Sequence, residues 1–270
     1  MNNSNSSTDS INYFVVMRTL NLVTLAITLP AILFAIYVVY QQIRLNQAVH
    51  VYVINLLISD ILQFVGILGF FITRNDILFI IFLNIVGVAI LLSVSFMICI
   101  AVERYLMIAH PLWYSIHCTV KCSILTSVGV WMIIIALNSL GILFLHMFPV
   151  LLILPFPLLL FLFVGTWRGL SKALTLSTRE KRRILATLGL VIGSYTFIFL
   201  PAIIAFLAGQ SVPYYFGHAA QSFVYLNPLS DLLLYIFLRK DTRRILEDIP
   251  CCRRAQTDHE ETDQTAVTSL

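Results

Sequence analysis

The chain has 270 residues and a mass of 30.6 kDa, is 59% hydrophobic and only 11% charged, and has a mean hydropathy of +0.92. That composition excludes a soluble surface, and the formal charge of +4, confined to short connecting segments, excludes a nucleic-acid binder. A membrane barrel is disfavoured too, since barrel strands alternate over about ten residues, whereas long unbroken apolar runs recur here from Thr19 to Leu238. The expected class is an all-α membrane protein.

Residues 1–18 are polar and Ser/Asn-rich, and they lack the charged start and short apolar run of a cleavable leader, so the first span is expected to act as the insertion signal. Apolar stretches follow at about 19–40, 50–72, 78–102, 184–208 and 214–238. The segment 123–167 would reach about 68 Å as one helix, twice the roughly 30 Å hydrocarbon core. It is therefore expected to cross twice, with a hairpin near His146-Met147-Phe148-Pro149. The expectation is a seven-transmembrane helix bundle over 19–238, behind an extracellular tail at 1–18. A short basic amphipathic eighth helix at 239–250 and a cytoplasmic tail at 251–270 complete the chain.

Lys and Arg accumulate in short cytoplasmic loops. Seven spans with the N-terminus outside place fifteen of the 17 basic residues inside, leaving only Arg18 and Arg74 outside. A single crossing over 123–167 would instead expose the cluster from Arg168 to Arg183. Two Asn-X-Ser sequons, at Asn2 and Asn5, then fall on the luminal side, where N-glycosylation occurs. Of the five cysteines, Cys99 lies in a span and the other four lie on the inner side, which leaves none for an extracellular disulfide.

An ionisable group within the bilayer costs at least about 2.5 kcal/mol, so each one is a functional candidate. Asp60 and Asp231 are the two acids well inside spans, with Asn55, Ser93, Asn227 and Ser230 as polar neighbours. Asn227 and Asp231, four residues apart, share a helix face. Two readings stay open: a satisfied polar network that holds helices together, or a small-cation or proton site at Asp60, Ser93, Asn227 and Asp231 whose occupancy differs between two helix arrangements. Pro30, Pro155, Pro157, Pro201 and Pro228 also lie inside spans, where each removes a backbone bond and permits a kink.

Several motifs now line up. Asn55-Leu56-Leu57-Ile58-Ser59-Asp60 in span two resembles the NLxxAD segment of rhodopsin-like (class A) G-protein-coupled receptors, and Glu103-Arg104-Tyr105 is similar to their D/E-R-Y triplet. Trp131 falls at the fourth-helix tryptophan, Phe199-Leu200-Pro201 resembles the sixth-helix F/W-x-P switch, and Asp231 with Tyr235 and Phe237 resembles D-P-x-x-Y-x-F. Tyr40 to Arg44, Val51-Tyr52 and the Asp-type seventh helix lean towards the purinergic and proton-sensing branch. The resemblance implies a plasma-membrane receptor that passes an extracellular signal to a heterotrimeric G protein, with arrestin as a further partner. Arg104, restrained by Glu103 at rest, would be freed as helix six swings about Pro201, with Tyr105, Phe199 and Tyr235 in the switch. It also implies no cofactor beyond a possible allosteric sodium ion.

Departures from that pattern are specific. Ile32 stands where the first helix normally has Asn, Leu232 replaces the Pro after Asp231, and Pro228 one turn earlier is expected to move the kink. Trp167 stands where the fifth helix has Tyr, Pro157 is out of step with the usual Pro, and Phe79 replaces the outer cysteine of span three. The inward face of the upper bundle is expected to include Val86, Gly87, Ile90, Ala202, Ile203 and Phe206, with Gln63, Asn84, Gln221 and Tyr225 as polar handles. Without an acid there, the expected ligand is lipid-like or small and neutral, or there is none. His146 and His218 are too few to argue for extracellular proton sensing. Cys251 and Cys252, just after the basic helix, are candidate palmitoylation sites beside membrane lipid. Thr268-Ser269-Leu270 fits a PDZ-domain ligand. Competing readings are a non-signalling receptor-like decoy or partner subunit, and a proton or ion transporter using Asp60 and Asp231; no metal or catalytic cluster is visible.

Overall fold

The computed structural model describes residues 3–44, 50–117, 119–143, 147–172, 178–211 and 214–238. Among them the regular structure is helical: α1 (Asn3–Arg44), α2 (Val51–Ile72), α3 (Asp76–Ala109), α4 (Pro111–His117), α5 (Val120–Leu143), α6 (Met147–Ile153), α7 (Pro155–Lys172), α8 (Thr178–Ala208), α9 (Tyr214–Val224) and α10 (Asn227–Leu238). The chain divides into two compact units at Tyr235, and of the second only Ile236–Leu238 is described. The eighth-helix segment 239–250 and the sites at Cys251, Cys252, Thr268 and Leu270 lie outside the described residues, as do Asn2 and His146. The side chains of Asn5 and His218 lie outside them too.

Among the described residues six helices are long and apolar enough to cross a membrane: Arg18–Arg44, Val51–Gly69, Asp76–Ala109, Val120–Ser139, Val150–Ser171 and Lys181–Ala208. The stretch 123–167 is divided as its length demands, between α5 and the α6–α7 pair. From Asn3 onward the polar N-terminal segment is helical and continuous with α1, and no Gly or Pro interrupts the chain from Asn3 to Leu29. Pro155 and Pro157 lack the N–H groups that would join α6 to α7, and the helix turns at Leu154.

α3 is the hub, packing against α2, α4, α5, α7 and α8, and its Ala89, Leu92, Phe96, Met97 and Ile100 are almost wholly enclosed. Its start is fixed by Asn75, whose Oδ1 accepts from the backbone N–H of Ile77 at 2.9 Å and of Leu78 at 3.3 Å. Close approach depends on missing side chains: a Cβ at Gly69 would sit inside the Phe82 ring, and one at Gly165 would meet Tyr105 at 2.7 Å. Asn55 Oδ1 accepts from Trp131 Nε1 at 3.0 Å and ties α2 to α5. Outward faces carry exposed Ile, Leu, Val and Phe, as lipid requires.

Candidate functional site

In the middle of the bundle, α2 supplies Asp60, α3 supplies Ser93 and α10 supplies Asn227, Asp231 and Tyr235, all essentially excluded from solvent. The spacing of four between the α10 residues puts them on one face. Ser93 Oγ donates to Asp231 Oδ2 at 3.0 Å, and Asn227 Nδ2 reaches the same oxygen at 2.9 Å and Ser93 Oγ at 2.6 Å. Tyr235 Oη donates to Asp60 Oδ2 at 2.7 Å. Thus Tyr235 belongs to the acid cluster and donates to one oxygen of Asp60, while Ile32 is a buried apolar residue.

The second oxygens are different. Among the described residues Asp60 Oδ1, Asp231 Oδ1 and Asn227 Oδ1 are buried without a donor, and the two carboxyl groups lie close enough to interact directly. Two facing carboxylates repel in a low-dielectric interior, and neither can donate to the other. A proton or a small hard cation removes both problems, and two carboxylate oxygens, an amide oxygen and a hydroxyl are suitable donors for either.

The helix that carries this cluster is broken beside it. α9 ends at Val224, residues 225–226 form a turn, and α10 begins at Asn227. Pro228 has no N–H for the carbonyl of Val224, four residues earlier, and Gln63 supplies the missing donor through Nε2 at 3.2 Å. The backbone N–H of Leu226 turns back to the Phe223 carbonyl at 3.0 Å. Gln63 is therefore a buried splice between α2 and the broken helix.

Other candidate pocket residues are dispersed. Ile90 and Ile203 are buried, Gly87 and Ala202 are half-buried, and Phe206 and Gln221 are exposed. Val86 packs against α2, where a Cβ on Gly66 would approach it to 2.8 Å. Asn84 is engaged by its own helix and by α5, donating to the Ile80 carbonyl at 2.8 Å and accepting from Asn138 at 3.3 Å. Gln221 donates to Tyr225 Oη at 3.1 Å, one turn along the same helix. These pairings occupy the expected handles with protein partners.

On α8, Phe199, two residues before the interior Pro201, is fully buried and stacks on Tyr195 with ring centroids 5.0 Å apart. Tyr195 Oη donates to the carbonyl of Leu152, next to the α6–α7 break.

At the Arg104 end of α3 the arrangement departs from expectation. Glu103 and Arg104 form no ion pair within 4.0 Å. Instead His50, just before α2, stands between them: its Nδ1 is 3.3 Å from Glu103 Oε1, and its Nε2 is 3.1 Å from Arg104 Nη2. Tyr114 of α4 also donates to Glu103 Oε1, at 3.1 Å. Tyr105 points the other way, against Phe161 and Gly165 of α7. Neither His50 nor Tyr114 stands out in the sequence, because a histidine or tyrosine at a helix end is ordinary and its partner is distant along the chain.

The two clusters thus lie on helices shared through α2 and α3. Residues 33–150, which include Asp60, His50, Glu103 and Arg104, match the family model described as 7 transmembrane receptor (rhodopsin family), and this match supports a receptor of the G-protein-coupled type.

Proposed function

We propose that the chain is a divergent rhodopsin-like receptor whose α9 and α10 together make the seventh crossing. Its N-terminus is extracellular, its Arg104 end faces the cytoplasm, and it sits in the plasma membrane. An extracellular signal, carried by a lipid-like or small neutral molecule, is passed to a heterotrimeric G protein by outward movement of α8 about Pro201.

The observation that carries this reading is the chain of buried polar contacts from Asp231 through Ser93 of α3, and from Tyr235 to Asp60 of α2, in a segment whose helix is already broken. Repositioning α10 cannot leave those contacts unchanged, and α3 carries Arg104 at its far end. Asp60, Ser93, Asn227 and Asp231 would hold sodium or a proton, whose charge relieves the facing carboxylates and favours the resting arrangement. The exposed Phe206 and apolar upper faces suit a ligand that partitions into lipid.

The deciding experiment is nucleotide exchange on a panel of purified G proteins by reconstituted receptor, comparing wild type with Arg104→Ala. Exchange that disappears in the variant supports the reading. Silence in both points to a non-signalling relative, and ion flux without exchange to a transporter.

A further inference from the structure

We infer that His50 is a positioning residue, a neutral imidazole that holds Arg104 away from the G protein at rest and lets go when the cytosolic side acidifies. The inference rests on the reading of the Arg104 end as the G-protein mouth, and it deepens that reading by naming the restraint and what controls it.

The donors and acceptors around the imidazole select one tautomer for these contacts. Glu103 offers only acceptors and Arg104 only donors. The imidazole between them must therefore donate from Nδ1 to Glu103 Oε1 and accept at Nε2 from Arg104 Nη2. Only the neutral Nδ1–H tautomer does both. Adding a proton at Nε2 abolishes the acceptor and places a cation against the guanidinium, while the bond to Glu103 becomes a full ion pair. Both changes act in the same direction, against Arg104.

Two further observations fit a restraint that is built to release. Arg104 Nε is buried without a partner, so Arg104 is held through a single described hydrogen bond and not a bidentate fork. The imidazole is 39% exposed, so protons reach it, whereas Glu103 is 13% exposed. Among the described residues the charged groups facing the imidazole are Glu103 and Arg104 of α3, with Tyr114 of α4 reached through Glu103. Two residues on, in the first turn of α2, Tyr52 lies near Ser123 and Thr126 of α5 and Cys99 of α3. Arg44 at the end of α1 is exposed. No carboxylate besides Glu103 competes for the imidazole among these groups.

The test uses the full chain in nanodiscs, with basal GTPγS exchange followed at pH 7.5 and 6.0 and hydrogen exchange over residues 100–117 followed without G protein. His50→Gln keeps one donor and one acceptor but does not titrate; His50→Phe keeps the ring volume and neither polar group. At pH 7.5, His50→Phe should raise basal exchange about tenfold, the scale of one charge-assisted hydrogen bond, and should deprotect the backbone around Arg104. His50→Gln should match wild type at pH 7.5 and show none of the rise that wild type shows at pH 6.0, with each G protein's intrinsic exchange subtracted. Unchanged protection in His50→Phe would overturn the restraint. A His50→Gln variant that retained the wild-type pH response would overturn the protonation step. Silent nucleotide exchange throughout, with hydrogen exchange still altered in His50→Phe, would leave the clasp standing and remove the coupling reading beneath it.

Discussion

The phenol of Tyr235 donates to Asp60 Oδ2 at 2.7 Å, joining α10 to α2 at a carboxylate whose other oxygen has no donor. One hydroxyl therefore provides the described donor to a fully buried acid. Tyr235→Phe removes it without changing the volume of the side chain, and the cost is that of an unsatisfied buried acceptor, about 1–3 kcal/mol. A lower unfolding temperature in detergent is expected. In a double-mutant cycle, adding Asp60→Leu should make Tyr235→Phe nearly neutral, because the acceptor that suffers is gone.

Sodium should stabilise the wild-type protein, since an ion that binds only the folded state contributes RT ln(1 + [L]/Kd). Unfolding temperature measured against NaCl, with choline chloride holding ionic strength constant, should rise steadily in wild type. Asp60→Asn and Asp231→Asn each remove half of the facing pair and should flatten the dependence. They should also raise stability in the absence of sodium, because the repulsion goes with the charge. Equal responses to sodium and choline in wild type would leave a proton as the occupant.

Much of this arrangement was legible in the sequence. Asp60, Ser93, Asn227 and Asp231 stand out because polar groups are rare in apolar runs and must find one another, and the structure brings Ser93, Asn227 and Asp231 into hydrogen-bond contact. Pro228 likewise announces an interruption of the last helix. What could not be read was pairing at long range. Gln63 looked like a cavity residue because its partner is a backbone carbonyl 161 residues away, freed by a proline on another helix. His50 was invisible for a related reason: its role comes from Arg104, 54 residues on, and from the acceptor-only and donor-only chemistry of its two neighbours. Val86 is buried where Gly66 lets α2 come close to α3, a contact that only the three-dimensional packing reveals.

Glycine marks the α2–α3 contact, and the contact predicts its own fragility. A Cβ at Gly69 would overlap the Phe82 ring, whereas nothing lies within 4 Å of one at Gly193 on α8. Gly69→Ala should therefore cost about 1–3 kcal/mol by overpacking, offset in part by better helix propensity, while Gly193→Ala should be neutral or stabilising. Thermal unfolding of the two variants side by side checks the difference. Gly69→Ala combined with Phe82→Leu should recover part of the loss, because the ring is what the methyl group meets.

Gln63 and Pro228 make the most discriminating pair. In the wild type the Val224 carbonyl lacks its helical donor because Pro228 has no N–H, and Gln63 Nε2 supplies one at 3.2 Å. Gln63→Leu leaves that carbonyl buried and unsatisfied, at a cost of about 1–3 kcal/mol. Pro228→Ala restores an N–H four residues on and allows α9 and α10 to join. In that background Gln63 has no orphan to serve, so Gln63→Leu should cost little. Unfolding free energies of the two single variants and the double variant measure the coupling. Additive costs would mean that the carbonyl is satisfied in some other way and that Gln63 is not the splice. If the break also serves signalling, Pro228→Ala should reduce the response to agonist even as it raises stability, since a continuous helix resists the repositioning of Asp231 and Tyr235 that the proposed switch requires.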